Sequence, residues 1–147
     1  MGTGSGATGS ASKIAIPVFK NNTTEPGIER NVTAKIREAF IRNGRLRVVR
    51  EKKADLVFTG NINHYELKPV SFDTNDNVTE YRVIMDIDVK VKDTSKNKLL
   101  IDQTFRSKWD YKVSSELLSS ERARVEAIDE ASSDFAEKMI SILVEGF

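Results

Sequence analysis

A chain of 147 residues with 39% hydrophobic and 31% charged side chains suits one compact domain and is too apolar for a disordered one. Its 23 basic and 22 acidic residues leave a net charge of +1, which excludes any general electrostatic pull toward nucleic acid. Cysteine is absent, which removes disulfides, thiolate metal sites and cysteine nucleophiles together, and no apolar run approaches the roughly 20 residues that span a bilayer.

Residues Met1 to Ser12 are nearly all Gly, Ser, Thr and Ala. Such a stretch buries too little apolar surface to fold and reads as an expression tag or linker, with one folded domain over residues 13–147. Gly4, Gly6 and Gly9 match the spacing of a dinucleotide fingerprint. That motif needs a preceding strand and a following helix to aim amides at a pyrophosphate, and neither is expected here.

Ile14, Ile16 and Val18 alternate with other residues, predicting a first strand from Lys13 to about Phe19. Asn21 to Thr24 make a polar turn, and Pro26 suits the first turn of a helix, where a missing N–H is harmless. Ile28, Val32, Ile36, Ala39 and Phe40 recur at helical spacing up to an Asn43-Gly44 stop. Leu46 to Val49 is a short extended piece. A second main strand is expected over Ala54–Leu67, with Gly60 a bulge or close-approach point and Pro69 ending it.

The loop from Phe72 to Asn77 leads into an alternating segment, Val78 to Lys92. Tyr81, Val83, Met85, Ile87, Val89 and Val91 share one face, and Glu80, Arg82, Asp86, Asp88, Lys90 and Lys92 the other. A last strand from Leu99 to about Tyr111 carries Leu99, Ile101, Phe105, Trp109 and Tyr111 on its apolar side, and a helix follows from about Ser120 to Glu145. The order strand, helix, three strands, helix predicts an α+β two-layer sandwich, two helices packed on one face of a four-stranded mixed sheet.

Charge pairing predicts the register of the last two strands. One alignment sets Arg82 against Asp110, Asp86 against Arg106 and Lys90 against Asp102, and on the core side Val83 against Trp109, Ile87 against Phe105 and Val91 against Ile101. A slip of two residues brings Arg82 to Lys108 and Asp88 to Asp102, both like-charge pairs that cost stability. The first alignment is therefore expected, with a connection from Thr94 to Lys98. It leaves the charged face balanced and free of helices.

Candidate chemical sites resolve into structural roles. His64, the single histidine, lacks a companion at ligand or triad spacing. Asp86 and Asp88 share their strand face with Lys and Arg, so ion pairing is preferred over acid–base work. Asp73, Asn75 and Asn77 mimic a calcium loop, but Val78 stands where its Gly is required and Ile84 where its Glu is. No serine sits in a GxSxG elbow. Parity puts Tyr81, Trp109 and Tyr111 on the core side and away from Arg106 and Lys108, which argues against base stacking. No catalytic, metal or cofactor site emerges, and no enzyme activity is expected.

Thr79-Glu80-Tyr81-Arg82-Val83-Ile84-Met85 with its alternating strand resembles the LptE family of lipopolysaccharide-assembly lipoproteins. So do Ile14-Ala15-Ile16-Pro17-Val18-Phe19 with Glu25-Pro26-Gly27, Ala54-Asp55-Leu56-Val57 before Gly60, and Phe105-Arg106-Ser107 before a long terminal helix. The resemblance covers nearly all of Lys13 to Phe147. It implies an outer-membrane protein facing the periplasm, held by an acylated N-terminal cysteine that this chain lacks. It further implies a place in the lumen of an LptD-type barrel, help in that barrel's assembly, and lipopolysaccharide as ligand. Where some relatives carry a basic residue before the Thr-Glu-Tyr strand, this chain has Asp73 and Asp76, poor partners for lipid A phosphates. Lys90, Lys92, Lys96 and Lys98 are the better cationic candidates for lipopolysaccharide. The competing expectation is an unrelated periplasmic adaptor or transport accessory on a similar sandwich.

Overall fold

A computed structural model describes residues 9–113 and 116–145. Most of the stretch expected to be a tag, residues 1–8, lies outside the described residues. Within it, Ser12 is tied down, its amide donating to Asp55 Oδ2 over 2.9 Å.

The elements are β1 (Lys13–Ala15), β2 (Lys20–Asn21), α1 (Ile28–Asn43), β3 (Arg47–Val48), a short 3₁₀ turn at Glu51–Lys53, β4 (Leu56–Phe72), β5 (Val78–Asp93), β6 (Lys98–Lys112) and α2 (Leu117–Leu143). They form the expected α+β sandwich, but the sheet has six strands in place of four. Its order is β3-β1-β4-β5-β6, with β2 also on β4. Strands β1, β2 and β3 pair in parallel, while β4, β5 and β6 form an antiparallel meander.

The predicted first strand is interrupted. It leaves the sheet after Ala15 and rejoins at Lys20, because Pro17 offers no N–H to a ladder. Side chains of α1 satisfy the freed backbone: Arg37 Nε donates to the Ile16 carbonyl over 2.8 Å, and the Phe19 amide donates to Thr33 Oγ1 over 2.9 Å. Phe19 then turns its ring onto Gly60 and stacks near Phe58, with centroids 5.8 Å apart. Gly60 is thus a close-approach point; the bulge falls between Ile62 and His64.

Pro69 does not end β4, which continues to Phe72. Beyond Ile62 the strand has only β5 beside it, and the register shifts between Pro69 and Ser71, so Pro69 stands on a sheet edge beside an irregularity. Both are places where a missing donor is tolerated. Pro26 likewise precedes α1, whose N-terminal boundary is Gly27.

The predicted register of β5 on β6 is the observed one: Arg82 faces Asp110, Asp86 faces Arg106, Lys90 faces Asp102, and Val83, Ile87 and Val91 face Trp109, Phe105 and Ile101. It shifts only after Val91, where Lys92 pairs with Leu99 and Asp93 with Lys98. The connection is therefore Thr94–Asn97, one residue shorter than expected, and the shift turns Leu99 outward. Leu99 is 47% exposed, and Leu100 packs against the core in its place.

Helices α1 and α2 lie side by side and run in the same sense, since Asn31 donates to Asp129 over 3.1 Å and Arg42 meets Glu137 at 3.6 Å. Between helices and sheet, Phe40, Phe58, Ile62, Met85, Ile87, Phe135 and Met139 are fully buried. Ser107 on β6 donates to the Ala131 carbonyl of α2 over 2.7 Å, anchoring helix to sheet from inside the core. Trp109 lies on the core side by parity but is 40% exposed.

Candidate functional site

Strand alternation sends the even-numbered side chains of β5, and of β6 from Asp102 onward, to the face that carries no helix. Arg82 forks onto Asp110 with Nε–Oδ1 at 2.7 Å and Nη2–Oδ2 at 3.1 Å, and Arg106 onto Asp86 at 2.8 and 2.9 Å. Both are bidentate pairs, whose planar geometry fixes the side chains as well as their charge. The guanidinium hydrogen bonds hold the carboxyls of Asp86 and Asp110 below the usual aspartate range and raise the two arginines. Asp88 accepts from Asn63 over 2.8 Å and from the Thr104 hydroxyl, and Asn22 extends that chain to Asn63 over 2.9 Å. On the same face Ile84, between Glu66 and Lys108 in the ladder, is only 6% exposed. The result is a polar face centred on two bidentate ion pairs.

His64 sits on this face with Nε2 3.3 Å from Glu66 Oε1, both half exposed. Among the described residues no three His, Asp or Glu side chains group closely enough to hold a metal ion. Asp73 spends its carboxylate on its own loop, accepting from the amides of Asn75 and Asn77 at 2.8 and 3.0 Å, and the Asn77 and Asn75 bonds lower its pKa. Its geometry is that of an Asx turn.

The four candidate lysines do not form one cluster. Lys90 lies inside the ladder opposite Asp102 and Thr59, within a shallow hollow lined by Thr59, Asn61, Asp88, Asp102 and Thr104. Lys92 is on the same face one pair further on, Lys96 is in the turn, and Lys98 pairs with Asp93 beyond the register shift. All four are exposed. No sequence signal marked a second feature, at the other end of the helix layer. Arg124 of α2, with 17% of its side chain exposed, meets Glu25 at 2.9 Å, Glu121 at 2.5 Å and the Tyr65 hydroxyl at 2.9 Å. Nearby, Tyr81 and Tyr111 stack with centroids 5.9 Å apart, and burial pushes the Tyr111 hydroxyl up to about 12.

Several solved structures share the fold. A hypothetical protein from Chlamydia trachomatis superposes with a TM-score of 0.63 at 8% identity, covering 88% of this chain and 94% of its own. The rare lipoprotein B of Shewanella oneidensis gives 0.56 at 17% identity over 84% and 90% of the two chains. A PelC subunit from a Paraburkholderia phytofirmans dodecamer gives 0.54 at 14% identity over 95% and 92%. At such identities these likenesses speak for the fold alone. A sequence search finds no match to a curated protein. The model of the LptE family, described as lipopolysaccharide-assembly, matches residues 11–143, which is nearly the whole folded chain. The sandwich, the Thr-Glu-Tyr strand and this match agree: the chain belongs to the LptE family of lipopolysaccharide-assembly proteins.

Proposed function

We propose that the protein is a non-catalytic envelope lipoprotein that binds an LptD-type outer-membrane barrel, assists its assembly and takes part in delivering lipopolysaccharide to the cell surface. The observation that carries the reading is the helix-free face of β4–β5–β6. Its opposed charges make it polar without strong net charge, which suits the hydrated inner wall of a barrel. The two bidentate arginine–aspartate pairs already compensate each other, so docking need not strip those four charges of their partners, and their desolvation penalty is small. On this reading the protein acts from the periplasmic side of the outer membrane, and Lys90, Lys92, Lys96 and Lys98 are the candidate contacts for lipid A phosphates.

The test is co-purification of the lipidated protein with the barrel. Thr104→Trp puts a bulky indole in the middle of the polar face, and Ala34→Trp puts one on the exposed side of α1. The first substitution should abolish barrel recovery and leave a heat-labile, misassembled barrel, and the second should leave both unchanged. Equal recovery with both variants rejects the polar face as the docking surface; no barrel with the unaltered protein rejects the partnership. Replacing the four lysines by Glu should weaken lipopolysaccharide binding, and added salt should weaken the unaltered protein's.

A further inference from the structure

The starts of β1, β3 and β4 and the β5–β6 turn meet at one end of the sheet. Lys13 stands opposite Arg47, the Asp55 amide donates to the Lys13 carbonyl over 3.0 Å, and the Thr94 amide donates to the Asp55 carbonyl over 2.9 Å. Three separate stretches of chain thereby bring Lys13, Arg45, Arg47, Lys52, Lys53, Lys92, Lys96 and Lys98 to an end about 20 Å wide, four strand spacings across. Seven of them are exposed and Lys13 is half-buried. Among the described residues none has a carboxylate within ion-pairing distance, in contrast to Arg82, Arg106 and Arg124.

The carboxylates at this end take their hydrogen bonds from other groups, and Asp55 and Asp93 feel Lys13 and Lys96 only from beyond ion-pairing distance. Asp55 accepts from the Ser12 and Lys13 amides, Asp93 from the Ser95 hydroxyl and the amides of Ser95 and Lys96, and Glu145, in the turn following α2, from the Ser141 hydroxyl. Among the described residues at this end, Glu51 alone has no such bond. Ordinary structural duties do not use up these cations. Arg42, outside this set, already answers the partial negative charge at the C-terminus of α1. Arg47 and Lys98 protect the two outer strands. Arg45, Lys52, Lys53 and Lys96, in turns, do neither. The loop at the opposite end, Asp73–Asn77, carries two aspartates and no cation.

We propose that this basic end is a membrane-facing surface that lies on an anionic phospholipid bilayer. Charge sign favours that occupant: unpaired cations spread over a broad end fit a field of phosphate headgroups better than a single anion in a pocket. The chain path agrees, because residues 9–13 enter the fold at this end, so a tether leaving here would hold the collar of cations against the membrane it is anchored in. The tether belongs to the lipoprotein reading, on which this inference rests; the charge distribution does not depend on it.

The test uses the unlipidated chain and sedimentation with vesicles of phosphatidylcholine, with or without phosphatidylglycerol. Binding is expected only to the mixed vesicles and should fall with added salt. The variant R45Q/R47Q/K52Q/K53Q avoids the lysines assigned to lipopolysaccharide and alters side chains with no hydrogen bond in the fold. It should keep its melting temperature and bind at least about tenfold more weakly, since each cation near such a surface contributes roughly fivefold. Equal binding to both vesicle types, or unchanged binding by the variant, overturns the proposal. So does displacement by inorganic phosphate at matched ionic strength, which would mark a free-anion site. Barrel co-purification by the same variant separates the two readings: vesicle binding lost with the barrel retained is expected here. Retained vesicle binding without any barrel overturns only the proposed partnership.

Discussion

Phe19 lies over Gly60 so closely that a Cβ on that glycine would stand 2.3 Å from the ring's Cε2. Both residues are buried, and the ring is held by the detour of the chain around Pro17 and by Phe58. Gly60→Ala should therefore destabilise the fold by about 1–3 kcal/mol, the usual range for overpacking a core. Phe19→Leu should lose packing when made alone yet recover part of the loss when combined with Gly60→Ala. Urea denaturation of the four proteins measures the coupling; strictly additive effects would show that the ring and the glycine do not meet.

The β5–β6 bulge makes two adjacent leucines unequal. Leu99 is 47% exposed and Leu100 packs against the core. Leu99→Lys should change stability by less than about 0.5 kcal/mol, as at most surface sites. Leu100→Lys should cost about 1–3 kcal/mol in lost burial. The opposite ranking would place the bulge elsewhere.

Arg124 ties the start of α2 to Glu25 in the loop before α1 and to Tyr65 on β4. Arg124→Gln leaves the little-exposed Glu25 carboxylate without its cation and should cost about 2 kcal/mol. The loss should be local as well as global, with amide exchange quickened over residues 22–27. Unchanged exchange there would mean the loop is held by the Asn21 and Thr23 bonds alone.

Two pH effects follow from opposite shifts. The Asp86 carboxyl is held below its ordinary value, first by the Arg106 hydrogen bond, so its stabilisation is present above the unfolded aspartate pKa and is lost as pH falls through the lower folded value. Asp86→Asn should lower stability at neutral pH and flatten its decline below about pH 4. Tyr111 is raised by burial to about 12, so its contribution is present below the unfolded tyrosine value near 10 and is lost as pH climbs through the folded one. Tyr111→Phe should flatten the alkaline decline. A steeper decline in either variant contradicts the sign of the shift.

Periodicity and charge pattern were enough to read both helices, the two layers and the β5–β6 register. Those features rest on local spacing, and Asp86 can meet Arg106 only in an alignment that also pairs Arg82 with Asp110 and Lys90 with Asp102. Tertiary structure decided what depends on neighbours. Pro69 stays in a strand because β4 is an edge there and the register shifts beside it. Pro17 breaks β1 because α1 supplies Arg37 and Thr33 to the freed backbone. Leu99 turns outward because the ladder slips by one residue at Val91. The basic end was legible only in pieces: the lysines around the β5–β6 turn stood out, but their meeting with Lys13 and with the cations of residues 45–53, far away in the chain, did not. Only the parallel pairing of β1 with β3 and β4, beside the β5–β6 turn, brings them together.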